Sequence, residues 1–279
     1  SDLLLYGLDR NRNGLVDGHE ADGTIDTETA DNTDGLLDRG WAAYFTLYSR
    51  ELNLTSLGEP RIFLNMEDMQ QLYDELSTTF GEAWATFIVA YRQNGPYRGN
   101  DEGTVGATGE SDLTQPAKFP LSQLLDLVDH KVRVQFQGED LPSVIGITFP
   151  EDPVAMATYL PELMENCTVF PDPTIPGRIN INEAPRAVLQ AIPGIEPDLT
   201  DAIIAARSDD PDDETNLHKH ETWLLTSALV SLDEMKALMP YVTTGGDVYR
   251  AQVVGYLDRG GPAARLEVIL DATQDLPER

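Results

Sequence analysis

Apolar residues recur along this chain in two alternating rhythms. Trp41, Tyr44, Phe45, Tyr48 and Leu52 fall at i, i+3, i+4, i+7 and i+11, one face of a 3.6-residue period, and predict a helix over that stretch. From Arg61, the run Arg61-Ile62-x-Leu64-Asn65 leads into helical text through Leu72, Leu76 and the segment Trp84 to Arg92. The same order returns at Arg178-Ile179-x-Ile181-Asn182, followed by Val188-Leu189, Ile192-Pro193-Gly194-Ile195 and the segment Ala202 to Arg207. The second copy, 178–207, is about two residues shorter than the first, 61–92, and the pair predicts an internal duplication of a helical hairpin.

Between the copies, 93–118 is rich in Gly, Asn, Asp and Thr and lacks a period, which predicts a loop or a disordered excursion. Leu121–Val128 reads as a short helix, 131–136 alternates as a strand does, and Phe170–Pro176 is an extended linker. A helix is expected over Ser231–Met239. Beyond it, 247–256 and 264–272 are β-rich and flank Leu-Asp-Arg-Gly-Gly-Pro, a hairpin signal. Tyr249, Ala251, Val253 and Gly255 alternate against Val248, Arg250, Gln252 and Val254, predicting one packed and one partly wet face.

With 279 residues, 41% of them apolar, the chain has enough material for a buried core. Its 19 Lys and Arg against 48 Asp and Glu leave a formal charge of −29, a field that repels phosphate backbones and anionic membranes and favours cations. Residues 1–40 concentrate this acid: ten Asp and Glu stand against Arg10, Arg12 and Arg39. The lone Cys167 excludes an internal disulfide and any zinc site of several cysteines. Nothing approaches 18 consecutive apolar residues, and no basic segment precedes an apolar one as in a secretory signal.

The acidic N-terminal stretch contains a calcium template. Asp9, Asn11, Asn13, Leu15 through its carbonyl, Asp17 and Glu20 occupy positions 1, 3, 5, 7, 9 and 12 of a twelve-residue loop, with Gly14 at the sharp turn. Calcium takes six to eight oxygens, and this spacing turns alternate residues toward one point. Only Leu3–Leu8 is available for an entering helix and Asp22-Gly-Thr interrupts the exit, so a structural clamp is expected rather than a two-helix sensor. A degenerate second set, Asn32, Asp34, Leu36 and Asp38, fills positions 3, 5, 7 and 9, but Ala30 and Trp41 stand at 1 and 12.

Other motifs carry less chemistry. Ile192-Pro193-Gly194-Ile195 between helices looks like a helix-hairpin-helix, a turn that offers backbone N–H groups to phosphate. Glu196, Pro197 and the acidic run 208–215 oppose that use. His218 and His220 have alternate spacing without a third ligand nearby, and His19 and His130 are far away, so surface histidines are the simpler reading. Trp41, Trp84 and Trp223 sit in apolar text and read as core, and Cys167 as a buried inert thiol. No nucleophile elbow, phosphate loop or Cys-His pair is present, and no catalytic residue is assigned.

The order Arg178-Ile-Asn-Ile-Asn-Glu-Ala-Pro-Arg-Ala-Val-Leu-Gln-Ala-Ile-Pro-Gly-Ile195, Ala202–Arg207, Trp223-Leu-Leu, Pro240-Tyr-Val-Thr-Thr and Arg265–Leu270 resembles general secretion pathway protein K, the large minor pseudopilin family of type II secretion. The resemblance covers about the last hundred residues. It implies an α+β fold: a pilin-like core of N-terminal helix plus C-terminal antiparallel sheet, interrupted by a large, mostly helical inserted domain with helix-hairpin-helix-like repeats. The corresponding division is 1–60, the calcium-loop segment and N-terminal helix; 61–240, the inserted domain; and 241–279, the C-terminal hairpin.

The resemblance also implies a non-enzymatic structural component at the tip of a periplasmic pseudopilus. Its partners would be other minor pseudopilins, its cofactor calcium, and its membrane contact only an N-terminal helix upstream of this soluble part, anchoring it to the inner membrane before assembly. No nucleic acid is expected. The competing expectations are a helix-hairpin-helix nucleic-acid-binding protein and a hydrolase with a carboxylate of raised pKa.

Overall fold

The computed structural model describes Gly7, Gly40 and residues 44–207, 218–255 and 264–274. The chain is mixed α+β and divides into two compact units, residues 52–245 and a second comprising 1–51 with 246–279.

The helix expected from Trp41 to Leu52 does not run through the described part of that segment. Tyr44 lies in a turn, and Arg50–Leu52 is extended as β1. Tyr44 is 46%, Phe45 65% and Tyr48 54% exposed, so these three positions of the helical period are not buried. A short helix draws most of its stability from burying one face, and these exposed positions supply little of it. Arg50 instead offers its carbonyl to the N–H of Asp247 at 2.9 Å.

The larger unit is built twice on one plan. Strand β2 (Ile62–Phe63) leads into α1 (Met69–Phe80) and α2 (Glu82–Asn94). Asp68 starts α1 by accepting the otherwise unpaired amides of Gln70 and Gln71, both at 3.0 Å. Gly81, at φ 88°, turns the chain between the helices in a conformation that a side chain would strain. Beyond α2, β3 (Pro96–Tyr97), β4 (Lys131–Val134) and β5 (Ser143–Ile145) form an antiparallel sheet in that order. The short helix expected near Leu121–Val128 is a 3₁₀ turn over Leu124–Leu127.

Helix α3 (Pro153–Asn166), which the periodicity did not announce, then delivers β6 (Cys167–Thr168) alongside β2 in parallel, with Cys167 opposite Ile62. A start signal for α3 is present in Asp152-Pro153: Asp152 accepts the N–H of Ala155 at 2.9 Å, and proline sits where its missing N–H costs nothing. Phe149 anchors the helix to the first copy, its ring 4.9 Å from Trp84, 5.5 Å from Phe87 and 5.3 Å from Tyr159.

After the extended β7 (Thr174–Pro176), the second copy again sets helices between two parallel strands, without a sheet like β3–β5 among the described residues. Strand β8 (Ile179–Asn180) is followed by α4 (Arg186–Leu189), α5 (Pro197–Ala206), α6 (Trp223–Thr226), α7 (Leu232–Leu238) and β9 (Val242–Thr243). Strand β9 pairs in parallel with β8, and Val242 faces Ile179 as Cys167 faces Ile62.

Three hydrogen-bonding devices recur in both copies. Leu64 donates its N–H to Thr168 O at 2.9 Å, and Ile181 donates to Thr243 O at 2.8 Å. Arg92 closes the first copy through Nε to Leu64 O at 2.7 Å; Arg207 closes the second through Nε to Ile181 O at 2.8 Å. Asn65 holds both backbone groups of Leu121 at 2.8 Å, and Asn182 holds His218 O at 2.9 Å and Trp223 Nε1 at 3.0 Å. The two Arg-Ile-x-apolar-Asn runs thus each open a short parallel strand pair and are each closed by a later arginine.

In the smaller unit, β10 (Val248–Gly255) and β11 (Ala264–Asp271) pair antiparallel, with Tyr249 opposite Leu270, Ala251 opposite Val268 and Val253 opposite Leu266. The alternation was expected to bury one face. Tyr249, Val253, Leu266 and Leu270 share a face and are each between 57% and 60% exposed, so the apolar row of this ribbon lies open. Arg250 and Glu267 form an ion pair at 2.9 Å on the other side.

Candidate functional site

The expected calcium ligands Asp9, Asn11, Asn13, Leu15, Asp17 and Glu20, and the second set Asn32, Asp34, Leu36 and Asp38, lie outside the described residues. So do Trp41 and the acidic run 208–215. Among the described residues, no group of three or more His, Cys, Asp or Glu is placed to hold a metal ion.

The structure parts the two histidines of His218-Lys219-His220. His218 meets the ring of Trp223 edge-on at 4.5 Å, while His220 Nε2 lies 3.5 Å from Glu165 Oε2. Burial, with Lys219 alongside, pushes the His220 pKa down to about 4, so it is neutral at pH 7 despite the carboxylate. Trp223 is buried at 2% exposure, and Trp84 is partly buried and stacks on Phe80 at 4.8 Å. Cys167 is sealed at 1% exposure, and burial raises its thiol pKa, as suits an inert thiol.

At the turn between α4 and α5, Ile192 and Ile195 are buried and Gly194 takes φ 90°. The Ile195 N–H is used on Ile192 O at 3.1 Å, and Pro193 and Pro197 have no N–H to give. Asp198 adds a carboxylate in the first turn of α5, so the turn has few donors and the wrong charge for a phosphate.

The most organised polar group joins the two copies. Glu165, near the end of α3, accepts Lys219 Nζ at 2.9 Å and the Ser56 N–H at 2.6 Å. Burial alone would raise its pKa, but the hydrogen bonds from Lys219 and Ser56 outweigh that and hold it at about 2. Beside it opens a mostly apolar cavity of about 300 Å³, whose walls include Arg61, Met164, Phe170, Ile175, Arg178 and Met239. Arg178 Nη1 is paired with Glu221 Oε1 at 2.7 Å, both side chains nearly buried.

None of these groups was singled out from the text as a site. The one available signal was that Arg61 and Arg178 occupy the same position in the two Arg-Ile-x-apolar-Asn runs. Periodicity does not tell which carboxylate each arginine meets.

Fold and site together define an α+β protein whose larger unit twice pairs a short strand in parallel with one that follows it after several helices, β2 with β6 and β8 with β9, and whose smaller unit carries a two-stranded antiparallel ribbon. No protein-family model, curated protein or solved structure matches the chain. Among the described residues, no helix is long and apolar enough to cross a membrane.

Proposed function

We propose that this chain is the periplasmic part of a large minor pseudopilin of type II secretion, a non-enzymatic structural component at the tip of the pseudopilus, with calcium bound by its N-terminal loop. The observation that carries this reading is the nesting of the units. Residues 52–245 form one unit inserted between chain segments 1–51 and 246–279, which cluster together, and the second of these contains an antiparallel ribbon. That is the arrangement the motif order 178–270 implies by resemblance.

The open apolar row Tyr249, Val253, Leu266 and Leu270 adds support. A two-stranded ribbon is marginal alone, and a partner subunit covering this row would supply the burial it lacks. Mixing the chain with the soluble domains of the other minor pseudopilins from the same genome should give a stoichiometric complex in size-exclusion chromatography. Leu266→Glu should weaken that complex without lowering the melting temperature. If the chain elutes alone at all concentrations, the reading is wrong.

A further inference from the structure

We propose that the cavity between the two copies binds an apolar monocarboxylate, and that Arg61 is the group that holds its carboxylate. The argument rests on an asymmetry within the duplication. Arg61 and Arg178 stand at the same position of the two copies, and both line this one cavity. In the second copy the arginine has its counter-ion, Glu221 at 2.7 Å.

In the first copy that counter-ion is replaced. The 3₁₀ turn Leu124–Leu127 and helix α6 are each followed, two residues past their last, by a residue of positive φ, Asp129 at 60° and Ala228 at 56°. With the two elements so aligned, Ser122 occupies the place of Glu221. Ser122 also lines the cavity, and its hydroxyl carries no charge to offer Arg61.

Arg61 is anchored by Nε to the carbonyl of Glu165 at 3.2 Å, and among the described residues no carboxylate lies within ion-pair distance of it. The nearest candidate, Glu165, is already engaged by Lys219 and Ser56. A guanidinium without a counter-ion, beside walls made by Met164, Phe170, Ile175 and Met239, is satisfied by an anion carried on an apolar body.

Size and charge narrow the ligand. About 300 Å³ admits one large side chain or a medium-length acyl chain. The formal charge of −29 selects against multiply charged anions, so one carboxylate is preferred to phosphate or a dicarboxylate. Two sources share this chemistry: a free medium-chain acid, or the C-terminal residue of a polypeptide ending in an apolar side chain. The inference does not depend on the pseudopilin reading.

Calorimetric titration of the whole chain tests it, using octanoate in one arm and a tetrapeptide ending in leucine with a free C-terminus in the other. Saturable binding of either acid is expected, and which arm binds identifies the source. Octanol and the C-terminally amidated peptide should bind at least about tenfold more weakly. Ser122→Glu, which gives the first copy the carboxylate of the second, should abolish binding with the melting temperature unchanged or raised, and Arg61→Met should abolish it as well. The proposal is overturned if neither acid binds the unsubstituted chain up to about 10 mM, if the uncharged analogues bind equally well, or if folded Ser122→Glu binds as tightly as the original.

Discussion

Arg207 donates from Nε to the carbonyl oxygen of Ile181 at 2.8 Å, tying the residue after α5 to the end of the strand that opens its copy. Nη2 of the same side chain reaches Ala184 O at 2.6 Å. Arg92 goes further in the first copy, donating to Leu64 O at 2.7 Å, Phe119 O at 2.7 Å and Met66 O at 3.3 Å while only 3% exposed. Both arginines thus hold the chain by neutralising carbonyl dipoles rather than acids. Arg92→Met should cost about 2–4 kcal/mol, because it strands several carbonyls, and Arg207→Met about half as much. Urea unfolding of the two variants measures this; an Arg92→Met loss below that of Arg207→Met would contradict the assigned roles.

The positive φ of Asp129 and Ala228 predicts an opposite effect. Both are exposed, and a residue with a Cβ is strained in this region of backbone space. Ala228→Gly should stabilise the fold by about 0.5–1 kcal/mol, the relief of strain being partly offset by the greater freedom of glycine in the unfolded chain. Asp129→Gly should gain less, because aspartate tolerates left-handed backbone better than alanine. Thermal melts of both variants decide the order.

Acid should weaken the junction between the copies in two steps. The His220 pKa is about 4 folded against 6.5 unfolded, so below pH 6.5 the unfolded chain binds a proton that the folded chain refuses. The stability from neutral His220 is therefore complete above pH 6.5 and lost as pH falls toward 4, about 2 kcal/mol of it by pH 5. Glu165, at about 2 folded against 4.5, contributes stability above pH 4.5 that is lost as pH falls toward 2. Burial lowers His130 too, with the same sign as His220. His220→Gln should flatten the fall in urea midpoint between pH 7 and pH 5 without removing it. An unchanged slope would take His220 out of the account.

Calcium should raise the melting temperature through the loop Asp9, Asn11, Asn13, Leu15, Asp17 and Glu20. At a hundredfold excess over the dissociation constant, mass action contributes about 2.7 kcal/mol. A scan with calcium, with chelator and with magnesium measures this, and Glu20→Gln should shrink the calcium shift. A melting temperature that ignores both calcium and chelator removes the metal.

Much of the local architecture was legible. The helix expected over Ser231–Met239 is α7, Gly-Gly-Pro between two alternating runs marked the β10–β11 ribbon, and the repeated Arg-Ile-x-apolar-Asn run located both copies. Each is a signal contained within a few residues, where backbone preference and side-chain period act directly. Helix α3 was missed although Asp152-Pro153 announces its start. The helix over Trp41–Leu52 was expected from spacing alone, and in its described part Tyr44, Phe45 and Tyr48 are exposed and Arg50–Leu52 is a strand.

The sequence by itself determined the helix after Ser231, the C-terminal ribbon, the strength with which the chain repels anions, and the recurrence of the Arg-Ile-x-apolar-Asn run. Only the tertiary structure decided that Arg178 finds Glu221, 43 residues away, while Arg61 has no carboxylate within ion-pair distance among the described residues, and that both open on one cavity. A charge pair is set by distance and burial in space. Neither quantity is contained in the period of the text, so two openings of the same pattern lead to different chemistry.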